Sequence, residues 1–299
     1  MSFEQELQQK IKSTVKIAEP MSLHTTWQVG GPADYYVSPA DTEELVQIIS
    51  TCRKHGIPYY ITGNGSNLLV LDGGIRGLVI NIGQPFCYVK RSGTALISGA
   101  GTPMTLLSKS ALDHGLTGLE FAVGIPGSLG GAVIMNAGAF GGYIGDRVTT
   151  VRLVTDEGEN NILNKSELIF GYRTSNLAEK GVLIEVSLEL EKGNPVIIKE
   201  KMEEFISERL RRHPRLPSCG SVFRNQPDNP AGRLIEEAGG KGICIGGAEV
   251  SSQHANFIVN RGAATAADIL AIIKAVQALV KEKHGYELHP EVKIIGEER

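Results

Sequence analysis

Between Asp41 and Gly56 the apolar positions Leu45, Ile48, Ile49 and Cys52 recur at the spacing of one helical face. Asp41 reads as the N-cap with Glu44 at the third helical position and Gly56 as the stop, so the pattern predicts a helix over 42–55. The chain then passes through Ile57 and Pro58 into a short strand at 59–62 and straight into a glycine-rich loop, which caps a β-α-β-like unit. An aromatic strand is expected at 35–37, after the turn at Gly30, Gly31 and Pro32. Strands are expected at 78–82 and 95–100. Thr102 as N-cap, with Pro103 at the first helical position, predicts a helix that stops at Gly115. Two more strands follow at 148–155 and 182–190, the second with apolar residues at every other position from Val182 to Leu190.

Residues 197–213 form a charged amphipathic pattern that Pro214 and Pro217 break, and a domain boundary is placed there. Beyond it the sequence predicts a short helix at 233–238, a strand at 256–260, a long helix at 265–284 and a last strand at 291–295. The long helix has an apolar face of Ile269, Ile272, Ile273, Val276, Leu279 and Val280, and Gly285 ends it. The first twenty residues are polar and carry no assigned element. Strands and helices in this order and number indicate an α+β or α/β protein.

A length of 299 residues suits two or three domains, each with its own core. The net charge of −3 offers no general attraction for nucleic acid or anionic lipid, so neither is expected as a partner and any anion site is local. A small molecule is the expected ligand. The four cysteines make no C-x-x-C pair, and the opening MSFEQELQQK has no apolar signal region, which points to reduced thiols in the cytoplasm. His284 and His289 lack the companion ligands of a zinc site, so no metal is expected.

Two glycine-rich segments change the picture. Residues 121–145, FAVGIPGSLGGAVIMNAGAFGGYIG, hold eight glycines and no charge in a chain that is otherwise 21% charged. Pro126, Asn136 and the glycines make this a poor membrane helix. Glycine instead lets main-chain N–H groups come close to a ligand, and such groups at turns and helix starts attract phosphate oxygens. The second segment is GNGSNLLVLDGG, from Gly63 to Gly74. A G-x-G-x-x-G dinucleotide fingerprint fails at Leu68, and a P-loop fails because Gly240 and Lys241 are followed by Gly242. Taken singly, GNGSN is more often an ordinary turn than a ligand cradle.

The segments LHTTWQVGGPADYYV, YITGNGSNLLV, GLEFAVGIPGSLGGAVIMNAGAFG, FGYRTSN, CGSVFRN, KGICIGGAEVSSQHANFIVN and HPEVKIIG are spread over positions 23–296. In this order they resemble the UDP-N-acetylenolpyruvoylglucosamine reductases, whose flavin domain is shared with enzymes of the vanillyl-alcohol-oxidase type. The resemblance implies an α+β protein: an FAD-binding domain in two α/β subdomains, 1–88 and 89–213, and a smaller C-terminal α+β substrate domain, 214–299. It implies non-covalent FAD, because the loop lacks the linking histidine of related oxidases, with NADPH as hydride donor. The cofactor residues implied are Thr62, Gly63, Asn64, Gly65, Ser66, Asn67 and Leu68 on one loop, and Gly124, Ile125, Pro126, Gly127, Ser128, Gly130 and Gly131 on the other.

The implied reaction turns UDP-N-acetylglucosamine enolpyruvate into UDP-N-acetylmuramate, a cytoplasmic step of peptidoglycan synthesis that needs no obligate protein partner. Arg173 matches the arginine that stabilises the developing enolate, Ser221 the serine that protonates it, and Glu291 the glutamate that works with the arginine on the carboxylate. Arg215, Asn225 and Lys241 match substrate-contacting positions. The tyrosine-bearing loop of the longer family form is missing after Arg173, so the shorter form is the better comparison. Each residue also has a plainer reading: Ser221 as a turn hydroxyl, Arg173 as an arginine stacked on a neighbouring ring, Glu291 as a solvated strand-edge carboxylate. An alcohol oxidase on the same flavin domain, and a binding protein for a flavin or nucleotide sugar, stand as the alternative functions.

Overall fold

A computed structural model describes residues 1–226 and 228–299, which gather into two units. The first comprises Met1–Ile17, Tyr35–Asn64 and Gly77–Glu208; the second comprises Ala18–Asp34, Gly65–Arg76 and Arg209–Arg299. Each has a separate buried apolar cluster.

In the first unit the helix Thr42–His55 forms where its periodicity predicts, because both ends are marked chemically. The Asp41 carboxylate accepts the Glu44 N–H at 2.8 Å, and Gly56 takes the left-handed conformation at φ 64°. Leu45, Ile48, Ile49 and Cys52 are fully buried beneath it. The strand Tyr59–Thr62 runs parallel to Ile75–Asn81, with Tyr59 opposite Leu78 and Thr62 opposite Asn81. A five-stranded antiparallel sheet follows in the order Asn160–Asn164, Val148–Val154, Val182–Glu189, Ala95–Gly99, Val89–Ser92. Its central strand buries Val182, Leu183 and Ile184 in succession and alternates only beyond them.

Two sequence expectations change here. The polar N-terminus holds a helix, Phe3–Lys10, closed by a Ser2–Gln5 capping box and anchored by buried Phe3 and Leu7. Eight residues with two apolar anchors are too few to stand out as a period. Thr102 is not the cap of the next helix: the cap is Pro103, and the helix is Met104–Asp113. The Thr102 hydroxyl is buried, accepts the Tyr88 N–H at 3.1 Å and donates to the Tyr88 carbonyl at 3.0 Å, so it secures a loop instead.

In the second unit the helix Ala266–His284 packs Ile269, Ile272, Ile273, Val276 and Val280 into the core. Its start is tied twice. Thr265 and Asp268 form a capping box, and the Asp72 carboxylate accepts the N–H groups of Ala266 and Ala267 at 3.0 and 2.9 Å. The end of the glycine-rich segment 63–74 therefore serves as a helix cap. A parallel pair, Leu68–Val70 with Lys293–Ile295, joins that segment to the C-terminal strand. A three-stranded antiparallel sheet, Cys244–Ile245, Ala248–Val250 and Ile258–Asn260, completes the unit. Among the described residues no helix is long and apolar enough to cross a membrane.

Candidate active site

In the first unit the two predicted cofactor loops meet. Thr62 and Gly63 end a strand, and a Cβ on Gly63 would stand 2.2 Å from the Ser128 hydroxyl oxygen. Gly124, Ile125, Pro126 and Gly127 lead to Ser128, the N-cap of the six-residue helix Leu129–Ile134. Ser128 makes no side-chain cap bond to this helix. The N–H groups of Leu129 and Gly130 donate to the carbonyls of Thr102 and Ala100 at 2.8 and 2.7 Å, so these two serve the fold and not an anion. Gly130 lies against Ala100, where an added Cβ would stand 3.0 Å from the alanine Cβ, whereas at Gly131 the nearest atom to such a Cβ is Ser128 Oγ at 3.6 Å. Part of the glycine content thus lets the chain pack on itself.

The loop passes into the second unit between Asn64 and Gly65. Gly65 takes φ 61°, and a Cβ there would meet the His24 carbonyl oxygen at 2.0 Å. Ser66 is half-buried, and Leu68 opens the strand Leu68–Val70. Asn67 reaches the C-terminal strand: its Nδ2 donates to the Glu291 carbonyl at 3.3 Å, and its carbonyl accepts the Lys293 N–H at 3.1 Å.

These residues suit a dinucleotide cofactor. Residues 62–68 and 124–134 contain no ionisable side chain, so they offer main-chain, hydroxyl and amide groups, with small residues holding the two loops together at Gly63 and Ser128. Neither stretch contains a histidine or cysteine for covalent attachment.

Arg173 belongs to the first unit. It occupies the two-residue turn between Phe170–Gly171 and Thr174–Ser175, with φ at 55°. A left-handed non-glycine residue costs free energy that surrounding contacts must offset. Nη2 donates to the Gly138 carbonyl at 3.2 Å, the guanidinium carbon lies 5.2 Å from the centre of the Tyr172 ring, and Nη1 is shut off from solvent. The stacking expected of a plain surface arginine is therefore present, but on a half-buried side chain. Asn136, also left-handed at φ 43°, fixes this turn by donating to the Gly171 carbonyl at 2.9 Å while accepting the Gly145 N–H at 3.0 Å.

Ser221 and Glu291 belong to the second unit, and the structure places their segments side by side. Glu291 N–H donates to the Val222 carbonyl at 2.7 Å and Arg224 N–H to the His289 carbonyl at 2.9 Å, with Phe223 bridged antiparallel to Pro290. Gly220 precedes the serine at φ 82°, and Ser221 is half-buried. Cys219 is buried, and burial first, then the Glu291 charge, pushes its thiol well above the ordinary range. It is inert as a nucleophile.

The three substrate positions are also in the second unit. Arg215 lines a shallow cavity of about 280 Å³ with Glu249, Ser251 and Gln253. Asn225 Oδ1 accepts the Ala231 N–H at 3.0 Å at the start of the helix Ala231–Glu237. Lys241 pairs with Glu236 at 2.6 Å.

Sequence reasoning missed several supporting residues. Asn81 Nδ2 donates to the Gly63 carbonyl at 2.8 Å and so holds the start of this loop from the neighbouring strand. Thr26 ties two loops at once, its N–H donating to the Gly65 carbonyl at 3.2 Å and its hydroxyl to the Ser218 carbonyl at 2.7 Å. Asn256 lies 1% exposed against the serine segment. Nothing in the local sequence marks any of them for these roles.

Two families match successive parts of the chain. A family described as "FAD binding domain" matches residues 33–162, and one described as "UDP-N-acetylenolpyruvoylglucosamine reductase, C-terminal domain" matches 212–295. The chain is thus an FAD-dependent oxidoreductase of α+β architecture. It is 50% identical over 282 residues to the UDP-N-acetylenolpyruvoylglucosamine reductase of Heliobacterium modesticaldum, covering 93% of this chain and 90% of the relative. It is 43% identical to that of Desulforamulus reducens, covering 98% and 97%. The crystal structure of the Thermus caldophilus enzyme superposes with a TM-score of 0.82 at 37% identity, over 95% of this chain and 99% of that one. The chain belongs to the UDP-N-acetylenolpyruvoylglucosamine reductase family.

Proposed function

We propose that the chain reduces UDP-N-acetylglucosamine enolpyruvate to UDP-N-acetylmuramate, with Arg173, Ser221 and Glu291 acting on the enolpyruvyl group. FAD, which Thr62 to Leu68 and Gly124 to Gly131 would hold, would supply the redox chemistry, linking NADPH as hydride source to the substrate's vinyl carbon. Negative charge then develops on the substrate's α-carbon and carboxylate. A guanidinium fixed at both its stem and its Nη2 stabilises that charge without reorganising, which is the role given to Arg173. Ser221 gives the α-carbon its proton. A serine hydroxyl is a weak acid, so this works only for a strongly basic acceptor held within hydrogen-bond reach. Glu291 works with Arg173 on the carboxylate, a role open to it only when its own carboxyl carries a proton to donate. Arg215, Asn225 and Lys241 take the nucleotide sugar, which requires Lys241 to turn from Glu236. Thr62 to Leu68 and the residues from Gly124 to Gly131 hold the cofactor. This reading places the work in the cytoplasm, on a precursor of the cell wall, with no obligate protein partner, and divides the chain functionally at 88 and 213.

The observation that carries the reading is the 2.7 Å bond from Glu291 N–H to the Val222 carbonyl, which holds the serine and glutamate segments edge to edge. An anaerobic absorbance titration tests it. NADPH should bleach the flavin, and the enolpyruvyl nucleotide should restore its colour with one equivalent of product. A reduced enzyme that stays colourless with that substrate refutes the assignment.

A further inference from the structure

Ser221 opens a short run, 221–224, that bends at Val222 and is paired on one edge by 289–291. On its other edge one residue does the work of a strand. Val222 N–H donates to the Asn256 main-chain carbonyl at 2.9 Å, Phe223 N–H donates to Asn256 Oδ1 at 2.9 Å, and Asn256 Nδ2 donates back to the Phe223 carbonyl at 2.8 Å. The side-chain amide thus copies a peptide group, and its orientation follows from the partners: the oxygen faces an N–H and the nitrogen faces a carbonyl. Asn256 is itself anchored, donating its N–H to His254 Nδ1 at 3.2 Å. Val222, Phe223 and Asn256 are all buried, so water cannot replace a lost partner.

We infer that Asn256 is a positioning residue for the proton-transfer step, clamping the two residues after Ser221 so that its hydroxyl is held in a fixed direction. The inference rests on Ser221 being the proton donor. With one edge paired by 289–291 and the other by Asn256, the main chain beside the serine has no freedom to rotate. Removing the Asn256 side chain frees Phe223 on this edge, while the Asn256 carbonyl still holds Val222 and 289–291 still pairs the other edge, so the serine segment loosens and the glutamate segment stays in place. The two halves of the reaction should therefore respond differently.

The test uses the FAD-loaded enzyme under anaerobic conditions, comparing wild type with Ser221→Ala, Asn256→Ala and Asn256→Asp. Flavin reduction by NADPH is followed by absorbance, and single-turnover product formation from reduced enzyme by rapid quench. Asn256→Ala should leave reduction within about two-fold of wild type and slow product formation by about 10- to 100-fold, the scale of a misplacement near 1 Å. Its solvent deuterium isotope effect on product formation should rise, and amide exchange should quicken in the peptide containing 221–224. Asn256→Asp carries the test if the alanine variant does not retain FAD. A protonated aspartic acid offers the same acceptor and donor, whereas the carboxylate loses the donor to Phe223, so product formation in this variant should fall as pH rises through its ionisation, unlike wild type. Equal slowing of both halves, or no slowing of product formation, overturns the inference for Asn256. Normal product formation in Ser221→Ala overturns the assignment of the serine itself, and the inference with it, so the two failures are separable.

Discussion

Gly63 and Ser128 meet so closely that a single added methyl on the glycine would stand 2.2 Å from the serine hydroxyl oxygen and 3.3 Å from its Cβ. In the first unit the two loops are held at this point by the absence of one side chain and the smallness of the other. Gly63 does not have a positive φ, so the glycine is required by space and not by conformation. Gly63→Ala should destabilise the protein by about 1–3 kcal/mol, the usual cost of overpacking, and lower the FAD content after purification. Adding Ser128→Gly should recover much of the stability. A thermodynamic cycle by urea unfolding checks this, and strictly additive effects would contradict the contact.

Arg173 separates stability from chemistry. Its main chain sits where glycine is favoured, at φ 55°, and the turn is held from both sides by Asn136 and by the Ser175 hydroxyl, which donates to the Ile134 carbonyl at 2.8 Å. Arg173→Gly should leave unfolding free energy unchanged or raised by up to about 1 kcal/mol, because the strain is relieved. Product formation in a single turnover should fall by about 100-fold or more, the scale for losing a fixed charge-stabilising donor. A variant that loses stability and keeps its rate would remove Arg173 from the active site.

Much of the architecture was legible where both ends of an element carry a chemical mark. Asp41 and Gly56, or Thr265 and Gly285, fix the helices Thr42–His55 and Ala266–His284 almost to the residue. Arg173, Ser221 and Glu291 stand out as candidates only as members of ordered motifs, since each alone has an ordinary structural use. Asn81, Thr26 and Asn256 were not legible at all. Their value depends on partners 18, 192 and 33 residues away, at Gly63, Ser218 and Phe223, and tertiary pairing of that kind leaves no local period. Thr102 shows the converse error, because a residue that reads locally as a cap has its hydroxyl claimed by Tyr88 from a neighbouring loop.

Asp72 should act through the helix Ala266–His284. Its two oxygens accept from Ala266 and Ala267, satisfying two N–H groups at the positive end of a nineteen-residue helix. Asp72→Ala should cost about 0.5–2 kcal/mol of unfolding free energy, in the range of a lost cap. Asp72→Asn, which keeps one acceptor, should cost less. Flavin reduction by NADPH should be unaffected at temperatures where both variants remain folded, and a loss of FAD with no change in stability would argue instead for a direct cofactor role.

Acid should loosen the second unit through a pair of histidines. The His213 ring lies 4.8 Å from Phe257 and 5.8 Å from His254, which is itself 4.8 Å from Phe257. Burial, followed by the charges of Arg209, His254 and Arg212, lowers His213 to about 4. Burial also lowers His254, with Lys241 and Arg212 acting in the same direction. The unfolded chain binds these protons near the ordinary histidine value of about 6.5, before the folded chain does. Between that value and 4 the unfolded state therefore holds more protons, so stability rises with pH and is lost as pH falls through the window. Urea unfolding at steps between pH 7.5 and 4.5 should show that slope, and His213→Gln should flatten it. An unchanged slope in the variant would mean that carboxylates elsewhere, and not this ring cluster, govern the acid response.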